Sequence, residues 1–290
     1  MQQKPFFSIV IPTLNEAEYL PHLLSDLADQ TYTNFEVILV DAYSDDSTIV
    51  ESKKFNETLI VKTTQSDIKN VSHQRNLGIE LAEGDWVIFM DADNRLPKYF
   101  LDGIRYRLAQ KPSTDIFTTW VKVSGDKKVN EYIEKIMNFG IEFYNSIGKE
   151  SAFGSMIGVK NQIAKENPFD TKQKVMEDSL FVKTIVDAHY TFSIFKDPKY
   201  TYSLRRIEAN GLLKHIQINS KMVFNYYVLG NDFQEDNHGY EMNGGKSYEK
   251  TDGTLFNMFY ELESIIKTKP AQRLEEAKKL FKSIIKSIDN

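Results

Sequence analysis

Two carboxylates one residue apart, Asp91 and Asp93, stand where the apolar run Trp86-Val87-Ile88-Phe89-Met90 stops. In extended backbone, residues two apart project from the same face, so the pair would offer hard oxygen ligands together. Such ligands suit Mg2+ or Mn2+, and either cation suits a bound diphosphate. A second acidic pair, Glu177-Asp178, opens a predicted helix. Acids in a first helical turn are favoured by the macrodipole. A carboxylate there can also serve as a general base toward a hydroxyl. Asp41 directly follows the predicted strand Phe35 to Val40 and can accept from a base N–H or a ribose hydroxyl, whereas Asp45 and Asp46 read equally as a helix cap and solvated acids. The segment Pro12-Thr13-Leu14-Asn15-Glu16 follows the first apolar run; there Pro12 ends a strand and Asn15 can cap a helix. A dinucleotide site needs a glycine-rich G-x-G-x-x-G turn at this point, and its absence argues against a Rossmann dehydrogenase. Downstream, Arg205 and Arg206 are either a bidentate diphosphate clamp or a solvated pair, and His215 is either a further metal ligand or structural.

The elements that must position these groups alternate. Phe7 to Ile11 reads as a strand, residues 16–29 as a helix with Leu20, Leu23, Leu24 and Leu27 on one face, and Phe35 to Val40 as a strand. A short helix over 46–55 capped by Asp45 or Ser44, a strand from Leu59 to Lys62, a helix from Ser72 to Leu81 and the Trp86 strand follow. This spacing predicts an α/β fold around a doubly wound, mostly parallel sheet. Beyond residue 97 the pattern predicts helices over Tyr99 to Ala109, Asn130 to Ile147 and Glu177 to Ala188. It predicts strands over Ile116 to Val123, Phe153 to Val159, 190–195 and 199–204. The domain organisation expected is a catalytic domain over 1–210 and a helical C-terminal extension over 211–290, interrupted by a Gly/Asn/Asp-rich stretch at 231–254.

Composition narrows the function classes. The 290 residues carry a formal net charge of -5 and no cysteine. Nucleic acid is therefore not an expected partner, and thiolate chemistry is excluded. No run approaches the roughly 18 apolar residues of a membrane span, and the segment before Phe7 lacks the form of a signal peptide. The expectation is a soluble, cytoplasmic protein. The last helix, Ala271 to Ile288, has an apolar face flanked by Lys278, Lys279, Lys282 and Lys286. It reads as a docking surface on the domain or on a homodimer partner, or as a peripheral membrane contact.

Taken in order, these segments resemble the family-2 glycosyltransferases of the GT-A fold. The resemblance rests on Val10-Ile11-Pro12-Thr13-Leu14-Asn15-Glu16, on Val40-Asp41 with Ser44, Asp46, Ser47 and Thr48, on Arg75-Asn76 with Gly78, on Asp91-Ala92-Asp93-Asn94, and on Glu177-Asp178. It implies an inverting transfer of one sugar from a nucleotide-diphosphate sugar, UDP-linked by preference, to a hydroxyl of a saccharide or lipid-linked acceptor. By the same resemblance Asp41 reads the base, Pro12, Asn15 and Glu16 line the nucleotide pocket, and Arg75 lies near the nucleotide. Asp93 holds Mn2+ or Mg2+, Asp91 lies toward ribose or metal, and Asp178 is the catalytic base. Ala42-Tyr43 departs from the Asp-Gly common in the family, and Tyr43 could stack near the base. The Gln-x-x-Arg-Trp signature of processive synthases is missing, which fits single-sugar transfer. The alternatives are an inactive sugar-nucleotide-binding scaffold of the same fold and a sugar-1-phosphate nucleotidyltransferase. The latter would carry a glycine-rich basic loop after the first strand, where this chain has Pro12-Thr13-Leu14-Asn15-Glu16.

Overall fold

The computed structural model describes residues 4–123, 128–146 and 148–205. Its first half runs β1 (Phe7–Thr13), α1 (Leu20–Ala28), β2 (Phe35–Asp41), α2 (Thr48–Lys53), β3 (Val61–Gln65), α3 (Val71–Leu81) and β4 (Trp86–Met90). Then come α4 (Phe100–Gln110), β5 (Ile116–Val123), α5 (Lys128–Ser146), β6 (Met156–Lys160), α6 (Asn161–Glu166), α7 (Glu177–Asp187) and β7 (Phe192–Tyr202). The strands form one sheet in the order β3-β2-β1-β4-β6-β5-β7. β1 to β4 pair in parallel, β6 runs antiparallel to β4 and β5, and β7 is parallel to β5. The fold is thus the mostly parallel α/β sheet that the alternation predicts.

Both faces of the sheet are covered, which is why its central strands are continuous apolar runs rather than alternating ones. Successive residues serve opposite cores. Phe7, Ile9, Ile11, Val37, Leu39, Ile88 and Met90 pack with α1 and α4 residues such as Leu24 and Ile104. Val10, Ile38, Val40, Val87 and Phe89 pack with Ile79 of α3, Ile163 of α6 and Phe181 of α7. Gly78 lets α3 lie close on β1: a Cβ there would stand 2.2 Å from Val10 Cγ1.

Some boundaries differ from the sequence reading. α1 begins at Leu20 rather than residue 16, because residues 16–19 form a turn, although all four expected leucines are buried. The strand expected at Leu59 to Lys62 lies at Val61–Gln65, and α6 was not expected. The two strands expected at 190–195 and 199–204 are one 11-residue strand, β7. Lys196-Asp197-Pro198 breaks the apolar alternation, but β7 is an edge strand among the described residues, where a proline without N–H is tolerated. The β5–β7 register shifts here, Thr119 facing Phe195 and Val121 facing Tyr200, so that β7 carries the extra residues. Arg206, His215, the domain boundary at 210/211 and the final helix lie outside the described residues.

Candidate active site

The parallel strands β1, β2 and β4 end on the same side, and the loops that follow carry the predicted residues. Asp41 closes β2 and is 1% exposed. One of its carboxylate oxygens accepts from the Thr13 hydroxyl (3.0 Å) and the Ser44 hydroxyl (2.6 Å), and the other accepts from the Ser44 amide (2.9 Å). The loop after β1 is tied to the loop after β2. Asn15 N–H donates to Ser44 Oγ (2.9 Å) and its side-chain oxygen accepts from Asp45 N–H (2.8 Å). Glu16 N–H donates to Thr48 Oγ1 (2.8 Å), and Ala17 N–H to Asp46 Oδ2 (3.1 Å). Asn15 and Tyr43 both have φ of 56°; asparagine takes this left-handed conformation readily, tyrosine does not. Pro12, half-buried, pairs with Val40 in the β1–β2 register, and Glu16 is buried. The N-cap of α2 is Ser47 rather than Asp45 or Ser44 and makes no side-chain capping bond; Asp46, one residue earlier, accepts from the Thr48 amide (2.9 Å) and the Thr48 hydroxyl. Burial pushes the Asp46 carboxyl up, but the hydrogen bonds from Thr48 and Ala17 outweigh it and hold the group below its usual value. Gln74, which sequence reasoning missed, donates to the carbonyls of Thr13 (3.0 Å) and Val40 (2.7 Å) and fastens α3 across both strand ends.

Next to Gln74 on α3, Arg75 is 2% exposed and joins three elements. Its guanidinium donates to Glu177 Oε1 (3.0 Å) at the start of α7 and to the Gly154 carbonyl (3.1 Å) before β6. It also lies 3.6 Å from Asp91 Oδ1 and 5.2 Å from the centre of the Phe169 ring. Among the described residues its Nε has no hydrogen-bond partner. The expected Arg75, Asp91, Glu177 and Asp178 thus come together, with Gly154 as a link the sequence did not reveal. The Gly154 amide donates to Asp178 Oδ2 (2.7 Å) and the Ser179 amide to Asp178 Oδ1 (2.7 Å). A Cβ on Gly154 would stand 2.7 Å from Arg75 Nη2 and 3.2 Å from Asp178 Oδ2, so a side chain there would displace the guanidinium from this approach. Burial, then the neighbouring Glu177 charge, push the Asp178 carboxyl up to about 7 against the opposing pull of Arg75 and the two amides. Met176, at φ 59°, turns the chain into α7 and presents the acidic pair. That backbone is strained for a non-glycine residue, as is common at functional sites.

In the turn after β4, Ala92 is buried in the core while Asp91 and Asp93 are partly exposed, as alternation predicts. Among the described residues no group of three or more His, Asp or Glu side chains is placed to hold a metal ion. Two carboxylates nevertheless fit Mg2+ or Mn2+, which commonly take one or two protein carboxylates and leave the other positions to phosphate oxygens and water. Beneath the turn, Asn94 Nδ2 donates to the Ser155 carbonyl (2.5 Å), and the Ser155 and Tyr200 hydroxyls share a hydrogen bond (2.8 Å). Arg205, half-buried, sits at the end of the described chain.

The model of glycosyl transferase family 2 matches residues 8–167. The poly(ribitol-phosphate) beta-N-acetylglucosaminyltransferase TarP of Staphylococcus aureus is 24% identical over 260 residues, covering 87% of this chain and 72% of TarP. The S. aureus TarS fragment 1–349, solved with UDP-GlcNAc, superposes with a TM-score of 0.56 at 22% identity over 77% of this chain and 76% of the fragment. The match to full-length TarS spans 36% of that protein. A Pyrobaculum calidifontis mannosyltransferase, solved with GDP-Man and Mn2+, gives a TM-score of 0.61 at 18% identity over 96% of this chain and 74% of the other. At these identities the structural likeness speaks to fold, which is GT-A.

Proposed function

The chain belongs to glycosyl transferase family 2, and from that premise we propose that it moves a single sugar, with inversion, from a UDP-sugar to an acceptor hydroxyl. The observation that carries the proposal is the Asp178 carboxyl, held at both oxygens by backbone amides and pushed up to about 7. A general base works best with a pKa near the working pH. Each Asp178 oxygen spends one lone pair on an amide and keeps another to receive the acceptor's proton. In the step proposed, the acceptor oxygen bonds to the anomeric carbon from the face opposite the diphosphate. The anomeric C–O bond breaks toward the diphosphate, and the acceptor hydroxyl proton passes to Asp178.

Asp41 accepts three hydrogen bonds. A carboxylate offers about four sites, so one is left for a donor such as the N3–H of uracil. Pro12, Asn15 and Glu16 flank this position. Asp93, with Asp91, would hold Mn2+ or Mg2+, which supplies charge neutralisation for the departing diphosphate when bound. Arg75 is committed to Glu177 and Gly154, so its part is to organise the acidic pair beside the nucleotide. TarP and TarS carry names that specify poly(ribitol-phosphate) as acceptor and N-acetylglucosamine as the sugar. A UDP-sugar donor and a polyhydroxylated acceptor are consistent with that kinship.

A thermal-shift screen of UDP-, GDP- and dTDP-sugars with and without Mn2+ tests the donor class. The expected result is a shift for the UDP-sugar that grows with Mn2+ and is lost in Asp93→Ala. Binding at a hundredfold excess over Kd adds about 2.7 kcal/mol of stability. No metal-dependent shift with any of the three donors would overturn the reading.

A further inference from the structure

Tyr200 lies on β7, at the edge of the sheet opposite β3 and three places from β4. Strand pairing therefore does not bring it to the Asp91–Asp93 turn. Two sets of hydrogen bonds do. Thr201, the next residue, exchanges both backbone hydrogen bonds with Arg95 (2.8 and 3.2 Å). Tyr200 itself is fully buried and its hydroxyl bonds Ser155 Oγ at 2.8 Å. Ser155, 4% exposed, receives Asn94 Nδ2 on its carbonyl at 2.5 Å, and the Asn94 amide donates to the Asp91 carbonyl at 3.1 Å. A phenylalanine would fill the same core volume without burying a hydroxyl. Burying a hydroxyl is costly unless it is bonded, so the hydroxyl points to a task that an apolar ring would not perform.

We infer that Tyr200 is a positioning residue for the Asp91–Asp93 pair: through Ser155 and Asn94 it braces the turn so that both carboxylates stand ready for a divalent cation before the donor arrives. This rests on the proposed role of the pair in holding Mn2+ or Mg2+. Burial, with Tyr202, Asp91 and Asp93 adding to it, holds the Tyr200 phenol well above its usual value. The brace is therefore a neutral dipole throughout the working pH range and adds no charge to the acids. Partners one step removed from a metal ligand commonly change metal affinity 10–100-fold when lost, by letting the ligand wander.

The test is Mn2+ binding, by electron paramagnetic resonance titration of free Mn2+ at saturating UDP, in the full chain, Tyr200→Phe, Ser155→Ala and the double variant. Tyr200→Phe is expected to weaken Mn2+ binding about tenfold, with kcat at saturating Mn2+ within about threefold of the parent. Ser155→Ala, which keeps the carbonyl but loses the hydroxyl, is expected to match it. The double variant should be no worse than either single one, because the two groups act as one chain. Ser155→Ala keeps the test open should Tyr200→Phe fold poorly. Unchanged Mn2+ affinity in both single variants, with the parent binding normally, would overturn the inference alone. Recovery of affinity in the double variant would also overturn it, since an orphaned Ser155 hydroxyl would then be the cause. A parent chain that binds no Mn2+ with UDP would overturn the metal reading and this inference with it.

Discussion

Replacing Glu177 with glutamine should lower the pH at which the enzyme switches on. Burial is the largest cause of the raised Asp178 pKa, the Glu177 charge is the next, and Arg75 opposes both, leaving the group at about 7. Arg75 Nη1 lies 3.0 Å from Glu177 Oε1. Glutamine therefore acts twice in one direction: it removes an anion beside Asp178 and leaves the guanidinium less neutralised. Both effects favour the ionised carboxylate. Burial stays in the variant, so only part of the displacement from the ordinary aspartate value is recovered. A drop of about one unit, or ~1.4 kcal/mol, is expected. At pH 6 a base with a pKa of about 7 is roughly one-tenth ionised, and one unit lower it is about half ionised. Measured against its own high-pH plateau, Glu177→Gln should thus be about fivefold more active at pH 6 than the parent. The assay is kcat/KM for donor-dependent transfer between pH 5 and 9. Arg75→Gln should move the acid limb the opposite way. Limbs that stay put in both variants, or that move together, would refute the claim that Asp178 ionisation governs the profile.

Asp178→Asn should cut kcat by about 10²–10⁴-fold while donor binding persists; normal turnover would remove Asp178 as the base. The same substitution carries a stability signature. The folded pKa of Asp178 is raised, so between about pH 4 and pH 7 the native state holds the extra proton, and this contribution is lost as pH rises through about 7. The difference in Tm, variant minus parent, should therefore increase from pH 5 to pH 8, and a flat difference would count against the raised pKa. At Tyr43, 52% exposed at φ 56°, glycine removes a left-handed strain of ~1–2 kcal/mol at an entropic cost of ~0.5–1 kcal/mol. Tyr43→Gly should thus raise stability by about 0.5–1 kcal/mol in chemical denaturation, whereas Tyr43→Ala, which keeps a Cβ, should gain little.

How much of this was written in the sequence follows from what each residue does. Asp41 and Asp91 were legible because β2 and β4 are buried on both faces, so each acid ends an apolar run, Val37 to Val40 and Trp86 to Met90. Asp178 was legible as a member of an acidic pair at a helix start. Gly154 was not, because it works through its own amide and carbonyl, and one glycine ahead of a strand carries no such signal. Gln74 was hidden for a related reason: it caps two strands by reaching their carbonyls from a helix distant in sequence. Tyr200 looks like any core aromatic, and its partner Ser155 meets it only because an edge strand returns to the Asp91 turn. Tyr43 shows the opposite case. The sequence marks it as a departure from Asp-Gly, and its positive φ supplies the physical reason for glycine at that point.

The site's charges are unevenly balanced, and the imbalance has a direction. Arg75 is hydrogen-bonded to Glu177 at 3.0 Å within a buried setting, whereas its 3.6 Å approach to Asp91 meets a side chain that is 43% exposed. The first interaction is costly to break, and the second is long, wet and cheap to exchange. On the proposed function, donor binding that draws Asp91 outward leaves the guanidinium more fully to Glu177 and Asp178. That favours the ionised form of Asp178 just when an acceptor proton needs a place to go. On that reading, occupancy of the donor side would raise the ionised fraction of a base whose carboxyl is pushed up to about 7. The Gly154 peptide makes the coupling local, since its carbonyl holds Arg75 and its amide holds Asp178.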